Sequence, residues 1–172
     1  GKPDNLPVLI FNGVGQSIEV LIPVIEALKE QEIIVIDVPG TGKSDTSLLP
    51  WRFRRHAKLA AAVLDRLNHP QVNVIGFSWG GVLAQQFAYS YPDRCKKLVL
   101  AASPPGNLMM PGNPMVYLRM SNIRRFWNKA YMRSVAGFIY GGTVRHSLKE
   151  VDKTGQRLIP PTRRGYLYQA AT

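Results

Sequence analysis

The chain has 172 residues, 45% hydrophobic and 19% charged, which suits one globular core and excludes a disordered or fibrous class. No stretch approaches the about 20 uninterrupted apolar residues of a membrane span, and Gly1-Lys2-Pro3-Asp4 is not a signal peptide. The net charge of +11 is uneven: residues 1–100 carry 11 Lys and Arg against 9 Asp and Glu, whereas residues 101–172 carry 11 against 2.

Pro7 to Phe11 is a continuous apolar run, bounded by Pro7 and Asn12-Gly13 and too short for a helix, so it predicts a buried strand. Ser17 resembles an N-cap, and Ile18, Leu21, Ile22, Ile25 and Leu28 follow at helical spacing up to the polar Lys29 to Glu32. Ile33 to Asp37 reads as a second buried strand that runs into the loop Val38 to Ser44. That loop has two glycines but lacks the four-residue gap between them that a Walker A phosphate loop has, so nucleotide binding is not expected. Arg52 to Leu67 predicts an Ala-rich helix ended by Asn68-His69-Pro70. Val72 to Ile75 is a third strand, Gly80 to Tyr89 a helix closed by Tyr91-Pro92, and Leu98 to Ala101 a fourth buried strand. Buried strands alternating with helices predict an α/β chain, with a mainly parallel sheet covered on both faces.

After Ser103-Pro104-Pro105-Gly106 the alternation stops. Met109, Met110, Met115, Met120 and Met132, six aromatics from Tyr117 to Tyr140 and most of the positive charge follow, with helical spacing in Met115, Leu118, Ile123, Phe126, Trp127 and Ala130. We therefore divide the chain into an N-terminal core at 1–103 and a mostly helical cap at 104–172. The basic cap has two readings, a surface for an anionic partner or a solvated face. No zinc-finger, RRM or KH signature accompanies the charge, so nucleic acid is not an expected partner. The lone Cys95 forms no internal disulfide and fits a reducing compartment, and no Cys/His cluster has zinc-ligand spacing.

The chemistry centres on Gly76-Phe77-Ser78-Trp79-Gly80. A serine hydroxyl is a weak nucleophile unless a base takes its proton and fixed donors stabilise the oxyanion that forms. A Gly-x-Ser-x-Gly turn between a strand and a helix lifts the serine above the sheet and sets it at a helix amino terminus. Both flanking elements are predicted here, which makes Ser78 the expected nucleophile. Trp79 N–H is the first expected oxyanion donor. The second is Val14 N–H in the loop Asn12-Gly13-Val14-Gly15, although a glycine-rich connection without a chemical role has the same composition.

A serine esterase of this kind also needs an acid and then a histidine after the nucleophile. After Ser78 only Asp93 and His146 are available in that order, and His56 and His69 precede it. None has a setting that fits a catalytic base. The chain is expected to be part of a longer protein whose Asp and His lie outside it.

The stretches Gln71 to Gly76, Ser78-Trp79-Gly80-Gly81, Leu83 to Ala88 and Cys95 to Ala102 closely resemble the intracellular poly(3-hydroxyalkanoate) depolymerases, a branch of the α/β-hydrolase superfamily. Leu9 to Gly13, Asp37 to Gly40, Met110 to Gly112 and Ile139 to Gly142 add to it. The resemblance implies an α/β-hydrolase-like fold with an incomplete sheet and a helical cap. It also implies a cytoplasmic, granule-associated serine hydrolase that uses no cofactor and cuts medium-chain-length polyesters through an acyl-enzyme at Ser78. A Met- and aromatic-rich cap suits a hydrophobic polymer, or equally the packing of the cap on the sheet. Arg124, Arg125, Arg163 and Arg164 are the charges expected to meet a granule coat. The alternatives are another enzyme of the fold, such as a carboxylesterase, lactonase or perhydrolase, and a non-catalytic hydrolase-like binding module.

Overall fold

A computed structural model describes residues 6–104 and 113–172. The leading Gly1-Lys2-Pro3-Asp4, Pro105-Gly106, Met109 and the Met110 to Gly112 run lie outside the described residues. Four strands, β1 (Val8–Phe11), β2 (Ile33–Val35), β3 (Val72–Phe77) and β4 (Cys95–Ala101), form one parallel sheet in the order β2-β1-β3-β4. Central β1 aligns Val8 with Ile33 on one side and with Asn73 on the other. Its four side chains are all buried, as the unbroken apolar run requires.

Three helices connect the strands: α1 (Ile22–Ala27), α2 (Phe53–Arg66) and α3 (Trp79–Ser90). The Ile18 to Leu28 segment is helical but divided, with a 3-10 turn over Ile18–Leu21 before α1. Ser17 stands at the N-cap position, yet its hydroxyl makes no capping bond and instead accepts from Ile159 N–H at 3.2 Å. Leu9, Phe11, Val72 and Val74 face α2 and α3 across one core. Val8 and Ile10 face Leu21, Val24 and Ile25 across the other. The connection leaving β1 thus runs to β2 under one face, and the connection leaving β3 runs to β4 under the opposite face. The two carboxyl ends diverge at a switch point, where open α/β sheets bind ligands.

β4 corrects one expectation. It is a strand, but not a buried one: Val99 is 53% exposed, and Leu98 and Leu100 are each 38% exposed. It lies at the edge of the sheet with β3 as its one neighbour, so its outer backbone edge has no strand partner among the described residues.

Beyond residue 113 come α4 (Pro114–Ser121), α5 (Lys129–Tyr140), α6 (Leu148–Arg157) and α7 (Arg163–Ala170). Asn113, Asn128 and Thr162 cap α4, α5 and α7, their side chains accepting backbone N–H bonds in the first turn. A bidentate pair ties α5 to α6, Arg133 donating to Asp152 at 2.7 and 2.9 Å. α7 docks on the loop after β2, where Gly165 and Gly40 approach so closely that a Cβ on either would meet the other's backbone. No helix among the described residues is long and apolar enough to cross a membrane.

Candidate active site

The end of β3 delivers Ser78 into a conformation that L-residues rarely adopt, φ 51° and ψ −118°. Holding a non-glycine residue there costs on the order of 1–3 kcal/mol. The surroundings fix it: Ser78 N–H donates to Ala101 O on β4 at 3.0 Å, and Ser78 O accepts from Gly81 N–H at 2.9 Å. The motif glycines have a steric cause. A Cβ on Gly76 would lie 2.5 Å from the Gly81 Cα, and one on Gly80 would overlap the carbonyl oxygens of Phe11 and Asn12. Strand and helix approach closely because both side chains are absent.

Trp79 opens the 12-residue helix α3, so its N–H lacks an acceptor within the helix and the positive end of the helix dipole lies beside Ser78. The loop after β1 faces it. Gly13 N–H donates to Asn12 Oδ1 (2.8 Å) and Gln16 N–H to Gly13 O (3.1 Å), while Val14 N–H makes no hydrogen bond among the described residues. The missing Cβ of Gly13 would sit 3.8 Å from the Ser78 Cβ, so this loop borders the serine. Neither N–H group named as an oxyanion donor has a hydrogen-bond acceptor among the described residues, and both belong to segments that border Ser78.

Gln169, which no sequence pattern singled out, joins these two elements. Its Oε1 accepts from Gly15 N–H at 2.8 Å, and its backbone oxygen accepts from Trp79 Nε1–H at 3.0 Å. The residue is buried, and its side-chain contact spans 154 positions of chain. Phe126 closes the same loop from above, its ring 2.5 Å from where a Gly15 Cβ would stand, and Gly15 itself has φ 69°.

No hydrogen bond among the described residues joins a histidine to Ser78. His69 pairs with Glu32 at 2.9 Å on the surface, and His146 is exposed. Asp93 is exposed in a 3-10 turn before β4. His56, 5% exposed, packs between Trp51 and the edge of Trp79, each ring 5.4 Å away, and no hydrogen bond joins it to Ser78. Burial foremost, with the Arg55 charge adding to it, pulls its pKa from 6.5 down to about 4. Above pH 6.5 both folded and unfolded forms are neutral, and as pH falls the unfolded chain takes up a proton that the folded chain refuses. His56 is therefore expected to contribute a loss of up to roughly 1.4 kcal/mol of stability per pH unit as pH falls from 6.5 to about 4. Urea midpoints across that window check it, and His56→Phe should flatten the slope; an unchanged slope in that variant would discard the assignment. Among the described residues no group of three or more His, Cys, Asp or Glu is placed to hold a metal ion.

Residues 7–146 match the family model of the alpha/beta hydrolase fold. A poly(3-hydroxyalkanoate) depolymerase of Ectopseudomonas oleovorans is 47% identical over 98% of this chain, and the match covers 60% of that protein's length. A 2-hydroxy-6-oxononadienedioate/2-hydroxy-6-oxononatrienedioate hydrolase of Burkholderia vietnamiensis is 44% identical over 40% of this chain and 24% of its own. Among solved structures, a hydrolase from Pseudomonas aeruginosa superposes with a TM-score of 0.75 at 19% identity, over 99% of this chain and 64% of that one. An enol-lactonase from Burkholderia xenovorans gives 0.71 at 17% identity, over 98% and 65%. At such identities the structural likeness concerns the fold.

Proposed function

The chain belongs to the alpha/beta-hydrolase family, and from that membership we propose that it is the nucleophile-bearing part of a serine ester hydrolase acting on medium-chain-length poly(3-hydroxyalkanoate). The observation that carries the reading is Ser78 at φ 51°, bordered by the loop of Val14 and the start of α3, whose Val14 and Trp79 N–H groups are uncommitted among the described residues. The 47% identity to the depolymerase supports the substrate class.

In the reaction proposed, the Ser78 hydroxyl loses its proton to a base as its oxygen attacks the ester carbonyl. The carbonyl oxygen gains negative charge between the Val14 and Trp79 N–H groups, where fixed donors are worth on the order of 3–4 kcal/mol each to such a transition state. The hydroxyl end of the cut chain leaves with a proton, and water then releases the acyl group from Ser78. Residues 1–103 would form the core and 104–172 the cap, without a cofactor. No hydrogen bond among the described residues joins a histidine to Ser78, so the reading assigns the base and its orienting acid to sequence outside these 172 residues, as the greater length of the depolymerase allows.

The reading extends to a cytoplasmic protein at a storage-granule surface, supported by the exposed Arg124, Arg163 and Arg164. Arg125 does not belong with them: it is buried, against the expectation of a surface charge. Granule binding that ignored salt and neutralisation of the three exposed arginines would count against this extension. For the activity, the full-length protein is expected to take a fluorophosphonate on Ser78, located by peptide mass spectrometry, and to turn over 3-hydroxyoctanoate oligomers faster than short simple esters. An adduct with the opposite preference would point to a general esterase, and no adduct at all to a binding module.

A further inference from the structure

Arg125 is the only lysine or arginine buried among the described residues, with 4% of its surface exposed. Its Nε–H has no hydrogen-bond partner. Nη1 reaches Tyr140 Oη at 3.4 Å and Nη2 reaches Val14 O at 3.5 Å, both at the long limit of useful bonds. The guanidinium stacks over Phe126 at 4.3 Å, and no carboxylate among the described residues pairs with it. A buried charge so poorly satisfied is costly unless a partner arrives.

Arg125 lines a cavity of about 350 Å³, within the range of small-molecule sites. Phe126, Trp127, Met132, Val151 and Leu158 give it apolar walls. The one carboxylate placed on the lining, Asp152, is clasped by Arg133, and Lys129 adds a further positive charge. Gln16 also lines the cavity, and its Oε1 lies 2.8 Å from the position a Gly13 Cβ would take, beside Ser78. The cavity and the serine therefore stand on two sides of one loop.

We propose that this cavity is a carboxylate-binding subsite: Arg125 receives the free acid end of a hydroxyacyl chain, whose alkyl side group occupies the apolar walls. An inorganic anion would leave those walls unused, and a neutral ester would leave the guanidinium unmatched. The choice of a hydroxyacyl ligand rests on the function proposed above, whereas the pairing of a carboxylate with Arg125 rests on the cavity itself.

The test is calorimetric titration of the full-length protein, carrying Ser78→Ala to stop turnover, with 3-hydroxyoctanoate and with its methyl ester. The acid is expected to bind at least about tenfold more tightly, the strength of one charge-assisted contact. Arg125→Met should abolish that preference and Arg125→Lys should retain part of it. Equal binding of acid and ester by the protein with Arg125 intact would overturn the proposal, and this comparison needs no variant at Arg125 to fold. A preference that survived in folded Arg125→Met would overturn it as well. Failure to hydrolyse polyester, with the acid still preferred, would remove the depolymerase reading and leave the subsite. Intact hydrolysis with equal binding would remove the subsite alone.

Discussion

In the ester hydrolase proposed above, Ser78→Ala is expected to lower kcat by roughly 10⁴-fold or more, the usual scale when a nucleophile is removed from a site whose parts act together. KM should change far less, because the side chain lost is small and the walls of the site remain. The backbone makes a second substitution more informative. Ser78 holds φ 51° only because the Ala101 and Gly81 hydrogen bonds and the packed glycines impose it. Ser78→Ala keeps the strain and should leave the urea midpoint nearly unchanged, whereas Ser78→Gly removes the Cβ penalty and should raise stability by about 1 kcal/mol while destroying activity equally. The pair thus separates chemistry from strain. Substantial turnover by either variant would sink Ser78 as the nucleophile, and equal stability of the two would discard the strain account.

Gly80→Ala is expected to be the most damaging single-methyl change in the core. Its Cβ would meet the backbone oxygens of Phe11 and Asn12, at the end of the fully buried central strand. Backbone in such a place does not yield as a flexible side chain would, so a loss exceeding about 3 kcal/mol is expected, with activity falling in any folded remainder as Asn12 to Val14 shift. Gly155→Ala in α6 supplies the contrast. A Cβ there meets nothing within 4 Å, and the change should stabilise by roughly 0.5–1 kcal/mol. Denaturation curves of the two variants measure both effects, and a Gly80→Ala protein as stable as its parent would refute the packing explanation.

The elements that position Ser78 were legible because their signals are local. An apolar run bounded by turn residues, a Gly-x-Ser-x-Gly pentapeptide and a helical repeat each occupy fewer than twenty neighbouring positions, and β1, β3 and α3 follow them within a few residues. What was not legible depended on distant chain. The run Leu98 to Ala101 marks a strand, but its apolar character cannot tell what lies on either side, and the structure leaves β4 at an exposed edge. Ser17 has the residue type of a cap, yet Ile159 claims its hydroxyl. Arg125 sits beside the exposed Arg124, and only the fold shows its burial against Phe126 and Val14. Gln169 carries no pattern at all, since its meaning comes from the two partners that reach it.

Those two partners give Gln169 a consequence for how the hydrolase would be timed. The loop holding Val14 and the helix start holding Trp79 belong to different strands, and one residue of α7 fastens both. Any motion of α7 would therefore act on the loop of Val14 and on the start of α3 together. In the ester hydrolase proposed above, access past α7 and assembly of the Val14 and Trp79 donors would in that sense be geared to one another.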